Sequence, residues 1–460
     1  MEVTLLNKLQ TMETTVTNIF PELYKENKKL LLSASPDFIG KMRDEAMQLF
    51  IQKGFPGKKD ENYKYTNLEP FFQNGYKKYL SPKPIDLDVE HIFKCDVPSL
   101  DTYIIILVNG FYFDTQNPLR TLPGNIIIGS LREAIKQYPD LISKHLGKYA
   151  TSNDSYVALN TALSIDGVFM HVPKNTVLEK PIQVINVLLS DEELMVQHRN
   201  LFIMEPNSDV KVVVCDHTLS PQKFLTNSVT EIYVDENARF DYFKVQNEHN
   251  DSIQISHTFI NQQAASNVQS SVITLHGGLV RNNLYIKLDG VGCENHAYGL
   301  FVADEKQHVD NFIFVEHAKE NCNSSQFFKG ILDDKSTGAF TGRILVDRDA
   351  QKTNAYQKNS SILLTDEARM NSKPQLEIYA DDVKCGHGGT VGQLDEEAMF
   401  YLRTRGIGER EARLMLMYAF ADEILSSIKI APLKDRMSEL IDKRLRGELS
   451  RCNNCAMNCG

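Results

Sequence analysis

The 460-residue sequence contains no tryptophan, so any platform for stacking sugar rings would rest on tyrosine and phenylalanine alone. It also lacks a long hydrophobic run. The longest aliphatic stretch, Ile104 to Val108, is far below the roughly 18 apolar residues of a membrane-spanning helix. Residues 1–20 mix acidic and polar side chains and hold no apolar segment of signal-peptide length, which predicts a cytoplasmic protein. Clustered positive charge is missing too. With 50 Lys and Arg against 60 Asp and Glu, the formal charge is −10, a balance that repels phosphate backbones and anionic lipid. Paired cysteine spacing is absent from the body of the chain. Cys95, Cys215, Cys293, Cys322 and Cys385 stand singly, as expected of reduced thiols rather than a disulfide scaffold.

Several catalytic signatures fail in the same way. Gly54-Phe55-Pro56-Gly57-Lys58-Lys59 has neither the spacing nor the hydroxyl of a phosphate-binding P-loop, and Gly290-Val291-Gly292 has no third glycine for a dinucleotide loop. There is no Gly-x-Ser-x-Gly nucleophile elbow. Nucleotide hydrolysis and serine-hydrolase chemistry therefore have no foothold in this chain.

What remains is an ordinary globular composition, 42% hydrophobic and 24% charged, with enough apolar residues for a sizeable core. Residues 1–165 read as a mixed, mainly helical domain in which Tyr103 to Val108 and Asn125 to Ile128 are strand-like, while Leu131 to Leu146 and Asp154 to Leu163 have helical spacing. Residues 166–392 change texture: short β-branched strands follow one another between polar turns, with no amphipathic helix. Turn clusters recur at Glu205-Pro206-Asn207-Ser208, Asp235-Glu236-Asn237-Ala238, Asp333-Asp334-Lys335-Ser336 and Asp366-Glu367-Ala368-Arg369. Spacing of about 30 residues marks a stacked repeat, and without propeller signatures a parallel β-helix is favoured. The flanking helical segments are expected to cap its open ends.

Residues 393–450 predict a C-terminal helical domain, followed by a Cys-rich tail over 451–460. In the helix after Gly408, Ala412, Met415, Leu416, Ala419, Phe420 and Ile424 form a stripe expected to face a core. Leu414, Met417, Tyr418, Ala421 and Leu425 form a second apolar face. Either the helix of Leu433, Met437, Leu440, Ile441 and Leu445 covers it, or a second protein does.

Three groups of residues could hold a metal. His308 and Asp310 share a strand face, as do the polar side chains of any wide sheet, and with His276, His296 and His317 they read best as satisfied polar groups. Cys385 and His387, within Asp381-Asp382-Val383-Lys384-Cys385-Gly386-His387-Gly388-Gly389, project from one face of a strand and offer a soft thiolate and an imidazole. Two ligands leave a tetrahedral site half built, so a partner subunit would supply the rest; a glycine-rich turn with a buried cysteine is the structural alternative. Cys452, Cys455 and Cys459 give C-x-x-C-x-x-x-C, able to wrap Zn²⁺, Cu⁺ or an iron–sulfur centre, yet they sit at a chain end, where order is least expected.

From Asn323 onward, the runs Ser325-Gln326-Phe327-Phe328-Lys329-Gly330-Ile331-Leu332, Ala350-Gln351-Lys352-Thr353-Asn354-Ala355, Leu376-Glu377-Ile378, Asp381 to Gly389 and Phe400-Tyr401-Leu402-Arg403-Thr404-Arg405-Gly406-Ile407 resemble the SufB/SufD family of iron–sulfur cluster assembly proteins, the SufD branch above all. Tyr63-Lys64-Tyr65-Thr66 resembles an N-terminal motif of the family, with Tyr63 where a Trp is common. The resemblance implies a right-handed parallel β-helix with helical ends and a cytoplasmic scaffold, not a turnover enzyme. It implies pairing with a SufB-like subunit through the β-helix, and docking of a SufC-like ABC ATPase on the C-terminal helices through Phe400, Tyr401, Arg405, Gly406, Leu414, Met417, Tyr418 and Ala421. ATP would be hydrolysed in that partner. Cys385 and His387 would lie at the subunit interface and hold a transient iron–sulfur cluster shared with the partner, none being tightly bound by this chain alone. Nothing in the resemblance extends to the cysteine tail. Two readings from other classes stay open: a structural homo-oligomer, with the isolated chain a homodimer, and a carbohydrate-active β-helix enzyme.

Overall fold

The computed structural model describes residues 19–33, 35–57, 59–73, 75–83, 100–150 and 153–449. Cys95 and the tail cysteines Cys452, Cys455 and Cys459 lie outside the described residues.

From Val168 to Gly392 each strand is followed by a short turn and a strand in the opposite sheet, so every strand pairs in parallel with the one a full coil later. Leu194–Met204 pairs with Phe224–Val234, which pairs with Ile253–Gln262, in continuous register. The result is a parallel β-helix of about seven turns, one wall belonging to an eleven-stranded and the other to a ten-stranded sheet. Alternate side chains of both walls meet inside. Ile232, Val234, Phe240, Val268, Ile286, Leu288, Ile313, Val315 and Phe340 belong to one buried cluster that runs through successive coils.

The turns explain why the repeat is legible. Asn175, Asn207, Asn237, Ala265, Asn321 and Lys352 adopt a left-handed conformation, with φ between 54° and 60°, which asparagine tolerates better than most residues. Gly292 takes this position in one coil at φ 73°. In that geometry the amide of each turn residue donates to a carbonyl in the turn of the next coil, as Asn207 does to Glu236 and Asn237 to Ala264. The side chains of Asn207 and Asn237 stack as an amide ladder at 2.7 Å. The sequence clusters at 205–208 and 235–238 are two rungs of this column.

Helices were expected at the two ends of the stack. They cover its sides instead. The Asp37–Lys53 and Ser155–Leu163 helices belong to a cluster in which Phe20, Phe50, Phe72 and Tyr156 meet Met195, Leu225, Ile253 and Ile255 of the eleven-stranded sheet. The Glu409–Leu425 and Ala431–Arg446 helices bury Val213, Phe243, Ile273, Leu300 and Ile331 of the ten-stranded sheet. The first coil is finished by the antiparallel pairs Tyr103–Val108 with Phe111–Tyr112 and Leu119–Leu122 with Ile126–Ser130. These two pairs tie the N-terminal segment into both sheets, across the boundary expected at residue 165.

Within the Glu409–Leu425 helix the buried face is Ala412, Leu414, Met417, Ala421, Ile424 and Leu425. Met415 and Ala419, expected to face a core, are exposed. The docking expectation for Leu414, Met417 and Ala421 is thereby corrected: the ten-stranded sheet needs an apolar cover along its length, and these three side chains supply it.

The Tyr63 to Thr66 motif pins the N-terminal domain to the outer face of the eleven-stranded sheet. The Tyr63 hydroxyl donates to Asp154 at 2.5 Å, and the Arg281 guanidinium lies over the Tyr63 ring at 4.9 Å. Thr66 bonds His308 at 2.9 Å and donates to Asp310, which also pairs with Arg281. His308 and Asp310 thus anchor a neighbouring segment as the expected structural polar groups, His308 bonded through both ring nitrogens and Asp310 through one carboxylate oxygen, its second being buried without a described partner. Arg281 and Asp310 are both buried, so removing one partner strands a charge. Arg281→Ala should cost about 3–5 kcal/mol, read as a lowered urea midpoint, with Arg281→Met recovering part of the loss.

Candidate functional site

Val383–Gly392 is the last strand of the ten-stranded sheet and Arg369–Ile378 the last of the eleven-stranded sheet. In register with the preceding coil, Cys385 sits over Ala355, His387 over Gln357 and Gly389 over Asn359. The period of a strand turns Cys385, His387 and Gly389 to one side, toward the interior of the final coil. Cys385 packs against a cluster of Ile344, Val346, Ala350, Ala355 and Leu376 and is half-buried; His387 is exposed. Burial pushes the Cys385 thiol above its ordinary value, against the opposing effect of the Ala355 backbone. A bound soft metal would have to displace that proton.

The interior beneath this rung is polar. Gln357 donates to Gln326 at 2.8 Å, directly below His387. Buried oxygens of Gln357, Asn359, Ser361 and Ser372 have no described hydrogen-bond partner. A side chain at Gly389 would approach the Ser372 hydroxyl to 3.4 Å, so glycine there leaves the mouth of the coil unfilled. These polar residues were missed in the sequence. Their signal was the period-two run Gln357, Asn359 and Ser361, polar where a packed core strand would carry aliphatic residues.

Neither terminal strand holds a fully buried residue. Tyr356, Ile378, Tyr379 and Val391 stand exposed around the mouth, and Phe400 and Tyr401 project from the Glu396–Thr404 helix, at 70% and 57% exposure. Arg405 and Gly406 are exposed as well, and Tyr418 is half-buried. Among the described residues no three His, Cys, Asp or Glu side chains gather into a metal-holding group, so Cys385 and His387 are two donors without a third. No described helix is long and apolar enough to cross a membrane.

The SUF system FeS cluster assembly, SufBD core domain model matches residues 187–420, which is the β-helix from its first full coils to the C-terminal helices, and the SufBD protein N-terminal region model matches residues 14–184. The chain belongs to the SufB/SufD family. Its relatives include an iron–sulfur cluster assembly SufBD family protein of Synechocystis, 29% identical over 96% of this chain and 100% of the relative. The iron–sulfur cluster assembly protein SufD of Escherichia coli is 28% identical over 87% of this chain and 92% of its own length. SufD of Bacillus subtilis is 27% identical over 70% and 74%. A role in iron–sulfur cluster assembly follows for this SufBD chain, with any cluster treated as cargo.

The raised thiol gives a direct test. Alkylation of Cys385 by iodoacetamide, followed by peptide mapping across pH, should accelerate with a midpoint above that of a free thiol, because the thiolate is the reacting species. A midpoint at or below the free-thiol value would contradict the burial described.

Proposed function

We propose that this chain is the SufD-like scaffold of a SUF-type assembly complex. It pairs end to end with a SufB-like subunit through the last coil of its β-helix and supplies Cys385 and His387 to a transient iron–sulfur cluster whose remaining ligands come from that subunit. The observation that carries the reading is the open end. Among the described residues, two ten-residue strands present unpaired edges on the coil that carries Cys385 and His387, and an exposed edge of that length invites another strand. The exposed Tyr379, Ile378 and Val391 give such a partner apolar ground.

A SufC-like ATPase docks on the C-terminal helices through Phe400, Tyr401, Arg405 and Gly406, the exposed part of the expected surface. Leu414, Met417 and Ala421 connect that surface to the sheet beneath, so closure of the ATPase would be felt as a shift of the helices on the β-helix wall. Lys329 is the fixed point of this connection. Its ammonium donates to the Phe420 carbonyl at 2.8 Å and pairs with Glu423. The scaffold works in the cytoplasm and performs no turnover chemistry of its own.

Co-expression with SufB-like and SufC-like subunits, followed by anaerobic iron and sulfide analysis, tests the reading. Cys385→Ala with His387→Ala should leave the three-part complex intact and bring cluster yield close to background. Phe400→Ala with Tyr401→Ala should lose the ATPase while the SufB-like subunit stays bound. Full cluster yield from the first double variant would remove the site, and retained ATPase from the second would remove the docking surface.

A further inference from the structure

Cys293 and Cys322 play no part in the open end. Both are fully buried, at the same position of consecutive coils: the Asn323 amide donates to the Cys293 carbonyl, and Glu294 pairs in register with Asn323. This position has a regular occupant elsewhere in the stack. Ser208 donates to the Glu205 carbonyl at 2.7 Å, Ser266 to Gln263 at 2.6 Å and Thr353 to Ala350 at 2.9 Å, each closing its own turn three residues back. Cys293 does the same with Gly290 at 3.1 Å.

Cys322 has only a longer contact within its own turn, to the Glu320 carbonyl at 3.5 Å, and it reaches back one coil as Cys293 also does to the Gln263 carbonyl at 3.2 Å. The Cys322 thiol crosses to the preceding coil and meets the same Gly290 carbonyl at 3.2 Å, so the two sulfurs lie side by side on one oxygen. A hydrogen bond from Cys322 draws the Cys293 thiol below its ordinary value, and Cys322 is pushed up in return; the first proton of such a pair leaves easily and the second reluctantly. Adjacent strands lie about 4.8 Å apart, inside the range of roughly 4.4–6.8 Å that a disulfide spans between its Cα atoms. The pair sits one residue beneath the surface, for Val291, Gly292, Asn321 and Asn323 around it are exposed.

We propose that Cys293 and Cys322 form an oxidisable dithiol that closes to a disulfide between two coils on exposure to a water-sized peroxide. The Cys293 thiolate attacks one peroxide oxygen, the O–O bond breaks, and the other oxygen leaves as water after protonation, giving a sulfenic acid. The Cys322 sulfur then displaces the hydroxyl from the Cys293 sulfur as a second water, and its thiol proton is consumed in doing so. Two thiols and one hydrogen peroxide become one disulfide and two waters, so the thiols lose two electrons and the peroxide gains them. The closed bond would staple the coil that carries Lys329, and with it the seat of the C-terminal helices, to the coil before it.

The test treats the native full-length chain with hydrogen peroxide, quenches, alkylates under denaturing conditions and maps the peptides. The expected result is a peptide pair joined through Cys293 and Cys322 and lighter by two hydrogens, formed in most molecules, together with a raised thermal midpoint that reductant reverses. Cys293→Ser retains the turn-closing hydroxyl already used at Ser208 and Ser266, so it should fold as the parent does and leave Cys322 alkylatable. Recovery of both cysteines as alkylated thiols, their separate conversion to sulfinic acids, or pairing of either one with a tail cysteine would overturn the proposal.

Discussion

Each strand of this molecule depends on the coil next to it for its backbone hydrogen bonds, because the two strands of one coil belong to different sheets. The rule satisfies every interior coil and necessarily fails at the ends. At the first coil the failure is repaired by strands from the N-terminal segment, Tyr103–Val108 running parallel to Ile182–Leu188 and Ile126–Ser130 antiparallel to Val168–Val172. At the last coil it is not repaired by the described residues, and that is where Cys385 and His387 stand.

Side cover and end cover are separate problems: the described residues cover both walls and the first coil, and leave the last coil open. The N-terminal helices and the Tyr63–Thr66 anchor shield one wall, and the C-terminal helices shield the other. Having Leu414, Met417 and Ala421 committed to the wall fixes the second helical surface in space relative to the terminal coil. The Glu396–Thr404 helix packs on the Glu409–Leu425 helix, which meets the sheet through these residues and Lys329. The interior changes along the same axis, from aliphatic rungs around Ile286 and Ile313 to Gln357, Asn359 and Ser372 beneath the mouth.

Much of this was legible in the sequence because the repeat is enforced by local chemistry. The Asn207 and Asn237 clusters could be read as turns since a left-handed residue recurs at this corner of successive coils. That Cys385 and His387 share a strand face could be read because period two puts both on one side. Pro374 was an unused signal: lacking an amide hydrogen, it belongs at an edge strand, and Arg369–Ile378 is one. What could not be read was the face of the Glu409–Leu425 helix that meets the sheet. With apolar residues on both sides, periodicity alone does not choose between Met415 and Leu414; the shape of the wall does. Nor could the sequence reveal that Cys293 and Cys322 are neighbours, since the coil length that stacks them depends on the turns between.

The central claim is that the last coil is an unfinished end completed by another chain. Amide hydrogen exchange of Val383–Gly392 and Arg369–Ile378, measured on the isolated chain and on its complex with a SufB-like subunit, addresses it most directly. The account predicts fast exchange at alternate amides of both strands in isolation and strong slowing in the complex, with the interior coil at Leu279–Leu288 protected throughout. Equal exchange of the terminal strands in both states would contradict it.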